Sequence, residues 1–391
     1  MSCVIFGAGK IARGFVGHLL YLSGIDFTFV EKADALSDLI NERGEYLVNM
    51  LGAPEKNTVV KGAKALKFSD EEKIAEAIAS ADAVFCAVGG KNLSEIVPYL
   101  TRGIELRAQI NPTPMNVITC ENWKKPADIL HDGIAAAISS DKKDFFENNV
   151  GITEAVIMRS AIEATADMLL KDPLVVNVQD FWVFPFDASR IKRPMPEGMI
   201  GLNPIYEFTG FLERKFYTYN AANGTTSFVG ALLGYKYIAD AAHDERITTL
   251  LDGVYRETAT ALSRKHNYPF EDQWAFTRTS LNKLQDRNIV DYIERNARDP
   301  MRKLGPDDRL VGSARLCLEW DVMPESLAVA IAAAIHYNEP SDPFSEELRA
   351  IREGEGYDAV LTKVCKIDAD GVLGRLVKEK INYIKEIGWL K

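Results

Sequence analysis

At 391 residues, 47 % hydrophobic and 26 % charged, the chain has a globular composition and is too long for one ordinary core, so two domains are expected. A net charge of −10 with no basic stretch argues against a nucleic-acid partner, and no apolar run reaches the length of a membrane span. Met1-Ser2-Cys3 leads straight into the first apolar run, so no signal peptide is expected. The five cysteines and five histidines are scattered, without CxxC, zinc spacing or HExxH, so a cytoplasmic protein with reduced thiols and no metal is expected.

The chain opens on Val4-Ile5-Phe6, followed by Gly7-Ala8-Gly9-Lys10-Ile11-Ala12-Arg13-Gly14-Phe15. A buried strand running into a glycine loop and then a helix is the entry of a dinucleotide-binding βαβ unit. Gly7 allows the tight turn, Gly9 lets the backbone approach a pyrophosphate, and Ala12 takes the small slot where helix meets strand. Free N–H groups at the helix start face the anion, so cofactor contacts are expected along Phe6, Gly7, Ala8, Gly9, Lys10 and Ile11. The next strand, 26–30, ends in Glu31, roughly twenty-odd residues on, where a carboxylate meets a ribose 2′-OH. Glu31 favours NAD over NADP because it repels a 2′-phosphate, and Lys32 beside it moderates that preference.

Residues 34–43 have helical spacing closed by Gly44. Strands are expected at 46–50 and 58–60 and a helix at 71–79. Residues 83–88 form a continuous apolar strand running out through Ala87, Val88 and Gly89, where a cofactor crosses the sheet. A helix at 92–100 and a strand at 117–120, emptying into Glu121 and Asn122, complete an alternation typical of a doubly wound sheet. Strands at 174–178 and 180–184 then flank an appended piece. The basic, proline-broken segment 190–196 is taken as the boundary between domains 1–195 and 196–391. Helices are expected beyond it at 206–222, 226–242, 245–265, 270–284, 289–297, 325–335 and 346–351, with Ala-rich faces implying close packing. The fold class is therefore α/β: an N-terminal Rossmann-type parallel sheet, then a mainly α-helical C-terminal domain.

In the helical half, Lys215 and Asn220 lie five residues apart, about 140° around a helix at roughly 100° per residue. A long lysine arm covers that spread, so both reach one substrate atom. The alternative is a solvated lysine and an asparagine near a helix end capped by Gly224.

Taken together, these motifs resemble the polyol-specific long-chain dehydrogenases, in particular the branch acting on mannitol 1-phosphate. GAGKIARGF resembles that family's GAGNIGRGF, Ala87-Val88-Gly89 its AVG, and Cys120-Glu121-Asn122 its CEN or CDN. Lys215 with Asn220 resembles its KxxxxNxxH signature. Arg302-Lys303-Leu304 with Asp308-Arg309-Leu310 resembles an RKL…DRL segment. The resemblance implies metal-independent hydride transfer between a polyol, or hexitol phosphate, and its ketose, with NAD as cofactor. Lys215 is then the general base, and Asn220 and Asn122 donate to the reacting oxygen. The signature histidine falls at Asn223, which can hydrogen-bond a substrate hydroxyl but not share a proton, and Met158-Arg159 stands where the family tends to have Asp-Arg. Arg159, Arg302, Lys303 and Arg309 are candidates for a substrate phosphate, or equally structural ion-pair partners. His336 reads as a satisfied histidine at a helix end. The expected partner is a small polyol or ketose, phosphorylated or not, with no nucleic acid or membrane and a monomer or small homo-oligomer. Alternatives are a hexuronate oxidoreductase of the same family, or an NAD-binding sensor that has lost catalysis. A β-hydroxyacid dehydrogenase plan would place its lysine and asparagine one residue closer.

Overall fold

The computed structural model describes residues 1–162 and 164–390, which fall into two compact units, Met1–Phe208 and Thr209–Lys391. The first unit begins with β1 (Ser2–Phe6), β2 (Asp26–Glu31), β3 (Glu45–Leu51), β4 (Thr58–Lys61), β5 (Ala65–Lys67), β6 (Ala83–Cys86), β7 (Met115–Thr119) and β8 (Val150–Glu154). Six of these form a parallel sheet in the order β5-β2-β1-β6-β7-β8. Phe6 pairs with Val30 on one side and Cys86 on the other, and Cys86 pairs with Thr119, so four strands end level. Successive residues feed opposite faces. Val4, Phe6, Val84 and Val117 pack with helices Glu71–Ser80, Leu93–Ile110 and Pro126–Ala137. Ile5, Phe29, Phe85 and Ile118 pack with Phe15, Val16 and Leu19 of the helical run behind the glycine loop. Burial on both faces is why these strands read as unbroken apolar runs.

β3 and β4 are strands as expected but lie outside that sheet. With β9 (Ala161–Ile162) and β10 (Val176–Gln179) they make a separate four-stranded sheet, ordered β4-β3-β10-β9. Their sequence carries the reason: in β3 the residues Tyr46, Val48 and Met50 are buried while their neighbours are not, the alternation of a sheet covered on one face. A side chain at Gly14 would meet Val178 at 2.6 Å, so the helical run behind the glycine loop lies directly on β10. β11 (Phe184–Asp187) and β12 (Leu202–Ile205) form a short parallel pair. The segment 190–196 is therefore a crossover inside the first unit, and the division falls at Phe208. The buried Asn116 on β7 holds this crossover, accepting from the Lys192 N–H at 2.8 Å and donating to the Arg193 carbonyl at 2.8 Å.

The second unit is helical. Its centre is helix Glu325–Ile335, in which every residue from Leu327 to Ile335 is buried. Helices Glu245–His266, Ala221–Leu232 and Val372–Glu386 share that core. Helices Pro300–Lys303, Val311–Glu319, Tyr357–Lys363 and Val372–Glu386 add to those expected, the last with Leu373, Leu376, Val377, Ile381 and Ile384 at helical spacing. His336 follows the central helix as anticipated, its ring held by the Ala332 carbonyl at 2.9 Å and the Tyr357 hydroxyl at 2.9 Å. No helix among the described residues is long and apolar enough to cross a membrane.

Glu257 fastens the start of the central helix, accepting from the Ser326 and Leu327 N–H groups at 2.6 and 3.0 Å. Burial pushes its carboxyl up to about 7 despite those bonds. The folded state thus holds this proton more tightly than the unfolded chain. The stabilisation from Glu257 is fullest below its ordinary value of 4.5 and is lost as pH rises through about 7. Urea midpoints measured across that window should fall for the wild type and stay flatter for Glu257→Gln; parallel slopes would remove Glu257 from the pH dependence.

Candidate functional site

In the first unit the site is built where β1 meets β6, the point at which strand order reverses. Gly7 leaves β1 with φ +85°, its N–H on the Val30 carbonyl at 2.8 Å. A Cβ there would stand 2.5 Å from the Ala87 carbonyl oxygen, so the turn has room only for glycine. Gly9 has no atom within 4 Å of where its Cβ would lie, which leaves that side of the loop open to a close ligand. Ala12 is fully buried, and the Arg13 N–H on the Gly9 carbonyl at 3.0 Å starts the helical run. Ala8 and Phe6 are buried, while Lys10 and Ile11 are half-exposed.

Glu31 ends β2 beside this loop. One carboxylate oxygen accepts the Ala8 N–H at 2.7 Å, the other the Ala33 N–H at 2.9 Å. The sequence expectation of an acid next to the glycine turn thus acquires a geometry, and remaining lone pairs are available to a vicinal diol. Lys32 turns away to Glu95 at 2.5 Å, a surface pair. These features suit a dinucleotide: a close-approach loop, a helix start and an acceptor carboxylate.

Ala87, Val88 and Gly89 form the exit turn of β6, with Gly89 at φ +84°. Asn92 donates to the Val88 carbonyl at 2.6 Å, and the Gly89 N–H donates to Glu121 at 2.7 Å. Glu121, whose carboxyl burial lifts to about 6, therefore braces one strand end from the next. Nothing in the linear order announces that role. Asn122 follows it, exposed, and its amide makes no hydrogen bond among the described residues.

In the second unit, helix Phe208–Lys215 runs into a π-helical turn, Phe216–Asn220, and then helix Ala221–Leu232. The Ala221 N–H bonds the Phe216 carbonyl, an i→i+5 step that brings residues five apart into stacked positions. This π turn lies between Lys215 and Asn220. A π turn is wider than an α turn, so the angle between residues five apart is smaller than the roughly 140° of a regular helix. Thr218 and Tyr219, within the turn, are buried. Gly224 is not a cap. It sits within the helix, where a Cβ would meet the Arg309 side chain at 2.9 Å, so its bareness lets Arg309 cross there.

Burial, then the charge of Arg309, holds the Lys215 ammonium below its ordinary value. Lys283, unremarked in the sequence, is pushed down to about 8 by burial and by Lys215, with Asp291 opposing. Asn223 donates to the Asn296 side-chain oxygen at 3.1 Å. The second unit thus gathers Lys215, Asn220, Asn223 and Arg309 around one stretch of helix, while Asn122 belongs to the first unit.

The phosphate candidates separate. Arg159 is buried in the first unit, donating to the Phe181 and Gly14 carbonyls at 2.6 and 2.9 Å and lying over the Phe15 and Trp182 rings. Arg302 pairs with Asp299 at 3.0 Å and Asp308 at 3.1 Å. Lys303 is buried and donates to the Asn296 and Arg298 carbonyls. Arg309 pairs with Asp308 at 2.9 Å and is the candidate whose charge reaches Lys215. Among the described residues no three His, Cys, Asp or Glu side chains gather as a metal site.

Comparison with known proteins agrees with this architecture. Residues 1–197 match the mannitol dehydrogenase Rossmann domain, and residues 207–372 match the mannitol dehydrogenase C-terminal domain. Among solved structures, D-sorbitol dehydrogenase in substrate-free form is 16 % identical with a TM-score of 0.83, over 99 % of this chain and 93 % of that one. Mannitol 2-dehydrogenase of Pseudomonas fluorescens, in a ternary complex with NAD and D-mannitol, is 12 % identical with a TM-score of 0.69, over 100 % and 92 %. At such identities these structures share the fold, and it is the domain matches along nearly the whole length that place the chain in the mannitol dehydrogenase family.

Proposed function

We propose that the protein is an NAD-dependent dehydrogenase interconverting a sugar alcohol, free or as a hexitol phosphate, and its ketose. The observation that carries this reading is Lys215, held below its ordinary value by burial and Arg309, with Asn220 one π turn away. NAD supports the reading through the family and through Glu31, whose carboxylate beside the glycine loop accepts diol hydrogens and repels a 2′-phosphate.

NAD, when bound, supplies the acceptor for the hydride. Lys215, unprotonated, takes the proton of the substrate hydroxyl as the C–H bond breaks, and returns it in ketose reduction. Asn220 carries an amide able to donate to that oxygen as negative charge builds on it. Arg309 serves two ends here: its charge disfavours a protonated Lys215, and it is the residue we assign to a substrate phosphate, since it alone of the four candidates acts on Lys215, with its pair to Asp308 made through Nε.

Lys215→Ala should lower turnover by roughly 10²–10⁴-fold while NADH affinity, read by fluorescence titration, stays near that of the wild type. In the wild type, polyol oxidation should rise with pH along a limb centred below 10.5, and ketose reduction should fall along the same limb. Turnover that survives in the alanine variant would remove Lys215 from the chemistry. Glu31→Ala should weaken NAD about tenfold, equivalent to about 1.4 kcal/mol, and narrow the preference over NADP. An unchanged NAD/NADP ratio would take Glu31 off the ribose. NADH oxidation with ketoses, ketose 6-phosphates and ketohexuronates tests the substrate class, and activity confined to uronates would displace the polyol reading.

A further inference from the structure

We propose that Asn296 and Asp291 are positioning residues that fix the amide of Asn223 with its oxygen toward the substrate, so this position selects a hydroxyl that donates. The inference rests on the polyol reading above and adds to it a polarity. It begins at Asp291, whose Oδ1 accepts from Arg295 Nε at 3.0 Å and Nη2 at 2.8 Å. An oxygen that receives two guanidinium N–H groups is an acceptor. Asn296 Nδ2 donates to that same oxygen at 2.6 Å and to the Tyr292 carbonyl at 2.9 Å. Two obligatory acceptors identify the nitrogen end of Asn296, so its Oδ1 is the atom left for Asn223. Asn223 Nδ2 donates to it at 3.1 Å. Both amides are thereby oriented by chemistry rather than by choice, and Asn223 Oδ1 is the remaining acceptor.

Asn223 follows Asn220 by three residues in one continuous helical run, which puts the two on the same face. Asn220 makes no side-chain hydrogen bond among the described residues and is free to donate, whereas Asn223 presents an acceptor. A histidine at this place could do either, according to its tautomer. With asparagine the role is set. A substrate hydroxyl satisfies it; fluorine, a carbonyl oxygen or a carboxylate at the same point does not.

The test uses ketose reduction by the intact enzyme with a ketose it accepts and the set of analogues in which each hydroxyl in turn is replaced by fluorine. In the wild type one position should lose about tenfold or more in kcat/KM, because a polar group of the site is left unpaired. In N296L the Asn223 amide can rotate, and the loss at that position should shrink to about threefold or less. In N223D/N296L an acceptor-only carboxylate needs no orienting partner, and the discrimination should return. Absence of any discriminating position in the wild type, or discrimination unchanged in N296L, would overturn the proposal. If the wild type reduces no ketose or ketose phosphate, the polyol reading itself fails. The orientation is then read from exchange of the Asn223 side-chain amide protons, slow in the wild type and fast in N296L; equal rates would refute it.

Discussion

The second unit holds a lysine ammonium largely out of water and beside another cation. An exposed lysine is a poor base near neutral pH, and burial beside another cation is what changes that. Arg309 crosses the helix where Gly224 has no side chain, and the helix takes one π turn between Lys215 and Ala221. A π turn is a less favourable helix than the regular form, and such distortions are found most often at functional sites.

The first unit meets a different constraint, one of space rather than charge. Where β1 and β6 leave the sheet side by side, the Gly7 backbone and the Ala87 carbonyl are too close for any side chain to intervene. Glu31 holds the glycine loop through the Ala8 N–H, and Asn92 and Glu121 hold the facing exit turn of β6 through Val88 and Gly89.

Much of this was readable in the linear order. Glycine loop, small helix residue and strand-terminal acid fall at spacings fixed by the βαβ unit, and helices 270–284 and 325–335 end where the apolar period ends. What was not readable shares one cause: it rests on meetings between distant segments. β3 finds its partner in β10, the crossover after residue 190 is held by a side chain on β7, and Asn223 meets Asn296 across two helices. Gly224 shows the same limit at one residue. A glycine after a helical stretch reads as a cap, and only the approaching Arg309 reveals it as a clearance.

The pairing of β3 with β10 also governs how the molecule comes into being. Val48 is matched with Val176, so the second sheet of the first unit joins segments from opposite ends of its chain. Contacts of such long sequence separation form late, since loop-closure entropy must be met before they contribute. During synthesis the glycine-loop helix would therefore emerge long before β10, the strand against which Gly14 packs, leaving that surface uncovered until residue 179 has left the ribosome.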